Sequence, residues 1–206
     1  LEIEQVLVNE GEETAHCVWG EHIALGAPFL SEDCVIDLPG GHIINHPSDF
    51  HPNNKLKTGH ESAWPMTELS DGTPHDLSKV PSRDFRGYDQ SYITNMPEGW
   101  YAITNQRMKV GFGVRFPSRV YRYLWYWQSL GGGTGYPWYG RTYNIGLEPF
   151  TSFTNEGLEV AIKNGTALRV EPGREVRTSL KAVAYSGPDI VGVEHINADG
   201  SVVTKG

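Results

Sequence analysis

Apolar and polar residues alternate along most of this chain, and the alternating runs are short. Period-two alternation puts neighbouring side chains on opposite faces of an extended strand, so it selects β structure over helix. The breaks are frequent. Among 206 residues, 24 are Gly and 13 are Pro, a density that favours turns over long helices. Candidate strands run over Ile3–Val8, Thr14–Ala24, Cys34–Leu38, Tyr92–Met96, Trp100–Asn105, Met108–Phe116 and Val120–Gln128. Others follow over Thr142–Glu148, Leu158–Asn164, Leu168–Glu171, Glu175–Tyr185, Ile190–Asn197 and Ser201–Thr204. Turn signals separate them, among them NEG at Asn9 and Asn155, PEG at Pro97, EPG at Glu171 and ADG at Ala198. No amphipathic helix of ten or more residues stands out. The pattern predicts an all-β fold, an antiparallel β-sandwich, in one domain spanning 1–206.

Two stretches modify this picture. Pro39–Asp89 holds most of the His and much of the Pro, Asp, Asn and Ser. It reads as a long polar excursion over one face, with a strand or two and Trp64 as an anchor. In Glu175–Tyr185, Val176 and Leu180 share one face while Val183 and Tyr185 share the other, which predicts a bulge between them.

The net charge of −8 and pI of about 5.4 argue against a nucleic-acid surface, which needs clustered Lys and Arg. No run approaches the ~20 apolar residues of a membrane span. Cys17 and Cys34 lie far apart among apolar neighbours, as buried free thiols on strands do, and imply a reducing, cytoplasmic setting. The chain opens at Leu1 without an initiator Met or a visible signal peptide, which leaves open whether its N-terminus has been cut.

Glu148 is the residue that asks for a chemical role. The run YNIGLEPFTS delivers an acid at the end of an apolar strand, where Pro149 is expected to stop it. A carboxylate is costly there unless its charge is used. It is either a general base held partly desolvated, or a turn-capping acid paired with Arg141. About twenty residues earlier, Tyr121, Tyr123, Trp125 and Trp127 alternate with Arg122, Leu124, Tyr126 and Gln128. One face of that belt suits the sandwich interior, and the other suits a ligand or a second copy of the chain. An acid beside aromatic rings is the raw material of a sugar site, because rings take C–H faces and the acid takes hydroxyl protons.

His16 and His22 share one strand-like run at a spacing of six, hence one face. They suit either a partial metal site or an acid plus a substrate contact, but no Glu follows at a metal-ligand spacing. His42, His46, His51, His60 and His75 read as solvated loop residues. Asp84, Arg86, Asp89 and Gln90 are polar candidates for hydroxyl contacts. GGGTG at Gly131 lacks the strand–turn–helix setting and Lys of a phosphate loop.

Four segments taken in order resemble the aldose 1-epimerase (galactose mutarotase) superfamily: EHIALGAPFL, GWYAITNQRMKVGFGVRF, YLWYWQSLGG and GLEPFTS. The resemblance covers about Cys17 to Tyr185 and is closer to the uncharacterised aldose 1-epimerase-like branch. It implies a large antiparallel supersandwich, with Glu148 as the base on the anomeric hydroxyl and His22 as the acid on the ring oxygen. It implies no cofactor and no metal. Beside it, the residue reading offers Trp125, Trp127, Gln128 and Asp89 as substrate contacts, and His16 as a substitute for a missing one without a motif behind it, with a monosaccharide or related sugar as the partner. GEHIALG replaces the family's Asn-His-x-Tyr-Phe-Asn-Leu, and the family's N-terminal strands, with their substrate-binding Arg and second His, have no counterpart ahead of His22. Three readings follow: an anomer-exchanging isomerase, a non-catalytic carbohydrate-binding protein, or a cupin-like metal enzyme.

Overall fold

A computed structural model describes residues 1–206. Its strands are β1 (Glu2–Val8), β2 (Ala15–Cys17), β3 (Ala24–Gly26), β4 (Cys34–Asp37), β5 (His42–Asn45) and β6 (Glu61–Ala63). Then come β7 (Met66–Glu68), β8 (Pro74–Asp76), β9 (Tyr88–Thr94), β10 (Trp100–Asn105), β11 (Val110–Arg115) and β12 (Tyr123–Leu130). The chain ends with β13 (Tyr143–Phe150), helix α1 (Leu158–Lys163), β14 (Leu168–Val170), β15 (Glu175–Ser186), β16 (Gly192–Ile196) and β17 (Val202–Lys205). Two antiparallel sheets face each other, one ordered β1-β15-β11-β10-β4 and the other β3-β13-β12-β9-β5-β6. Three small pairs, β14-β2, β16-β17 and β7-β8, complete the fold.

The core lies between the two sheets. Ile36, Tyr101, Ile103, Val114 and Leu180 from the five-stranded sheet meet Ile43, Ile93, Leu124, Tyr126, Ile145 and Leu147 from the six-stranded sheet. These are alternate residues of their strands, so the period-two pattern sets which side chains go inside.

The polar excursion contributes more than expected. It supplies four strands, two of them in the six-stranded sheet, and it sends Ile43, Leu56, Leu77 and Val80 into the core with Trp64 packed against it.

Thr14–Ala24 is not one strand. It divides into β2 and β3, because the chain crosses Phe150 at Gly20, where any Cβ would run into the Phe150 ring. Leu158–Lys163 is a helix, not a strand. Ala161 faces inward while Glu159 and Lys163 sit one turn apart outside, 3.5 Å between charged atoms. A run of only six residues fits either period. β13 continues through Pro149 to Phe150: the segment ahead of β3 runs alongside, the Pro149 carbonyl accepts the Glu21 N–H at 3.0 Å, and the Glu21 carbonyl takes the Ile23 N–H at 3.1 Å instead of the N–H that Pro149 lacks. β15 has no bulge. Leu180 enters the main core, while Val183 and Tyr185 pack outward on a second cluster of Trp100, Ala102, Val193 and Ile196. Cys34 is buried, Cys17 half-buried, and both thiols are free. No helix is long and apolar enough to cross a membrane.

Candidate active site

The outer face of the six-stranded sheet carries the site. On β12 and β13 the register sets Trp125 opposite Glu148 and Trp127 opposite Gly146. On the other side of β12, Tyr92 lies opposite Trp125 and Gln90 opposite Trp127. Because Leu124, Tyr126, Ile145 and Leu147 point into the core, alternation sends Trp125, Trp127, Glu148 and Phe150 outward. His22, just ahead of β3, and Trp138, in the loop after β12, close over this face. The cavity of about 360 Å³ is lined by these residues with Tyr88, Gln90 and Asn155.

Glu148 is 4% exposed. Burial raises its carboxyl to about 7, against the opposing pull of His22. Nδ1 of His22 stands 2.6 Å from Oε1, yet that oxygen has no in-line hydrogen-bond donor. The pair is therefore a close electrostatic contact rather than a formed hydrogen bond. The His22 side chain is 65% exposed, so the acid is buried and its partner is on the solvent side. Arg141 is not the partner of Glu148. Gly146 makes this geometry possible: the carboxyl folds back over it, and a Cβ there would overlap Oε1.

The aromatic residues divide by role. Trp125 is buried, with its face stacked on Phe150 at 3.7 Å and 7° and its Nε1 donating to the Ser152 carbonyl at 2.7 Å. It forms the floor. Trp127 is half-buried, 5.7 Å from His22 and 5.5 Å from Trp138 between ring centroids. Trp127 and Trp138 are the walls. At the far rim the Tyr92 hydroxyl donates to Oδ1 of Asn155 at 3.0 Å, and Nε2 of His46 meets the same oxygen at 3.0 Å.

The structure brings together Glu148, His22, Trp125 and Trp127 and leaves three other expected contacts outside. Gln128 faces the sandwich interior, 1% exposed. Asp89 faces inward beside it, where its Oδ1 accepts the backbone N–H groups of Lys55 and Leu56 at 2.7 and 2.8 Å and burial raises its carboxyl to about 6. Both are one residue out of phase with the site face; Gln90, of the same polar group, is in phase. His16 pairs with Arg169 across β2 and β14, so it shares no strand with His22. No group of three His, Cys, Asp or Glu side chains converges as a metal site would require.

Period two counted back from Tyr92 reaches Gln90 and Tyr88, so that part of the wall was within reach of the sequence. Trp138 and Asn155 sit in loops, and His46, expected in solvent, is 3% exposed at the end of β5. These three carry no local signal. A second cavity of about 530 Å³, between β3 and β11, is lined by Leu25, Phe29, Phe112 and Tyr185. It holds no acid, base or nucleophile pair.

No family model matches the chain, and no curated protein matches it. Solved structures do. A candidate aldose 1-epimerase from Klebsiella pneumoniae is 19% identical, with a TM-score of 0.62 over 89% of this chain and 42% of its own. A galactose mutarotase-like protein from Clostridium acetobutylicum is 16% identical, with a TM-score of 0.58 over 90% of this chain and 52% of its own. A TPR-domain containing protein from Parabacteroides distasonis is 12% identical, with a TM-score of 0.59 over 98% of this chain and 32% of its own. The chain therefore spans about half the length of the first two, or less. At these identities the likeness establishes the fold, the galactose mutarotase-like β-sandwich, and the resemblance read from the four sequence segments holds at that level.

Proposed function

We propose that this protein is a sugar isomerase of the aldose 1-epimerase kind, exchanging the α and β anomers of a free aldose. The observation that carries the reading is Glu148, an acid buried on an aromatic-walled cavity, raised to about 7 and in contact with His22 at 2.6 Å. A base poised near the working pH is the most effective one. Glu148 takes the proton of the anomeric hydroxyl while His22 protonates the ring oxygen. The C1–O5 bond breaks, giving the open-chain aldehyde. Rotation about C1–C2 presents the other carbonyl face, and closure with both proton transfers reversed gives the other anomer.

O1 and O5 are bonded to the same carbon, so a base and an acid in contact can serve both from one side. His22, being largely exposed, is free to swing from Glu148 to the ring oxygen. The cavity of about 360 Å³ is at the small end of the ~300–1,000 Å³ range of ligand sites, which suits one sugar ring. Its lining holds no Lys or Arg. It favours a neutral sugar held by Trp127 and Trp138 and by the amides of Gln90 and Asn155. The same kind of activity is named for the Klebsiella pneumoniae neighbour.

Exchange NMR on equilibrated neutral aldoses tests the reading. Protein-dependent cross-peaks between α and β H1 signals are expected for at least one sugar. A panel of hexoses and pentoses with no exchange above the uncatalysed rate would overturn it.

A further inference from the structure

The far rim of the cavity holds buried polar groups that the proton transfers do not use. His46 is buried, and its ring packs on Phe50 at 4.7 Å between centroids. Ser48 brackets Nδ1 of that ring, with its backbone N–H and hydroxyl at 3.2 Å and its carbonyl at 2.9 Å. Nε2 of His46 lies 3.0 Å from Oδ1 of Asn155. The Tyr92 hydroxyl meets Asn155 twice: it accepts the backbone N–H at 3.2 Å and donates to Oδ1 at 3.0 Å. Tyr92 is fully buried, its ring edge-on to both Trp125 and Phe153. Two rings fixed by packing therefore grip one end of one amide. A reversed amide would turn its NH2 toward the Tyr92 hydroxyl and take away the acceptor of that hydroxyl's proton.

We infer that His46 and Tyr92 are positioning residues that hold the Asn155 amide with its oxygen inward, so that Asn155 meets the sugar through its NH2 group, as a hydrogen-bond donor only. Asn155 lines the cavity. With Oδ1 taken from two sides, the free end of its amide is Nδ2. Gln90, the other amide of the lining, donates Nε2 to the Ser91 carbonyl at 3.1 Å, which leaves Oε1 as its free end. The two amides thus have opposite polarity. A sugar oxygen that meets Asn155 needs only to accept, whereas one that meets Gln90 must donate. The inference rests on the reading of this cavity as the sugar site of an isomerase.

Fluorine on carbon accepts a hydrogen bond weakly and cannot donate one, so deoxyfluoro sugars separate the two polarities. The test measures dissociation constants by tryptophan fluorescence for glucose, galactose and their monodeoxy and deoxyfluoro analogues, with anomer exchange followed in parallel. At the ring position that meets Asn155, the deoxy sugar should bind about two- to tenfold more weakly than its parent, and the fluoro sugar more tightly than the deoxy one. Asn155→Asp puts a carboxylate oxygen where the donor was, so that order should reverse. Tyr92→Phe and His46→Phe keep a ring in place and free the amide to turn. A parent hydroxyl can use either end of a turning amide and fluorine only one, so the fluoro sugar should lose about two- to tenfold more affinity than the parent. His46→Gln, which can supply an N–H near the Nε2 position, should recover that difference. Equal losses for parent and fluoro sugars in Tyr92→Phe and His46→Phe overturn the positioning role. A wild-type protein that binds no fluoro sugar better than its deoxy counterpart, with exchange intact, overturns the donor assignment and leaves the isomerase reading standing. The expected fluorine pattern with no exchange of any sugar supports the inference and overturns the isomerase. Failure of every sugar to bind overturns both.

Discussion

At Glu148 the chain sets a charge where burial opposes it. Its carboxyl is raised to about 7 from an ordinary 4.5, so the folded state holds the proton more tightly than the unfolded chain. The stability this contributes is full below about 4.5 and is lost as pH rises through about 7. Glu148→Gln removes that loss. The variant should match the wild type near pH 4 and exceed it by up to about 3 kcal/mol at pH 8. Urea titrations at the two pH values measure this, and a gap that is the same at both would contradict the assignment. Asp89, raised to about 6, titrates in the same sense, so part of the wild-type pH dependence survives in the variant. Gly146 supplies the space. Its φ is not positive, so Ala fits the backbone and only the Glu148 carboxyl must move. Gly146→Ala should push that group toward water, shift the inflection of the rate–pH profile from about 7 toward ordinary carboxylate values, and cost about 10²-fold in rate. A pH profile left in place would contradict the role given to Gly146.

At the scale of the element, β12 and β13 separate stability from chemistry by face. Leu147→Ala opens the fully buried core side and should cost about 2–5 kcal/mol, read by chemical denaturation. Trp127→Ala removes a half-buried wall and should lower sugar affinity with a smaller loss of stability. The reverse pattern would mean that the two faces are misassigned. This division was legible in the sequence because period two labels faces without reference to any partner. It could not say which face is inward: Gln128 and Asp89 look like sugar ligands and are interior residues, because only the neighbouring sheet decides the phase. Thr14–Ala24 and Leu158–Asn164 misled for a related reason. The first is divided by the crossing at Phe150, and the second is too short and apolar for its period to be decisive. Both outcomes are tertiary.

The whole molecule has two hydrophobic clusters rather than one. The β16–β17 hairpin covers Trp100 and Ala102 on the outside of the five-stranded sheet. Polar contacts clamp it: Val193 N–H donates to Asp37 Oδ2 at 2.8 Å, and Arg115 donates to the Ile196 carbonyl at 2.6 Å. Removing residues 188–206 should uncover this cluster, raise the binding of an apolar dye and lower the melting temperature. An unchanged melting temperature would show the hairpin to be dispensable. The site also depends on the whole chain. Glu148 could be picked out beforehand because it is chemically out of place in its own segment, and His22 because its segment resembles one of the family's. Trp138 and Asn155 could not, because their role exists only once two loops converge on β9 and β12. The role proposed for Glu148, the base of an anomer-exchanging site, is decided by anomer-exchange NMR on the wild type and Glu148→Gln. Sugar-dependent exchange should fall by about 10²–10⁴-fold in the variant while the fold is retained. Exchange at an undiminished rate in folded Glu148→Gln would contradict it.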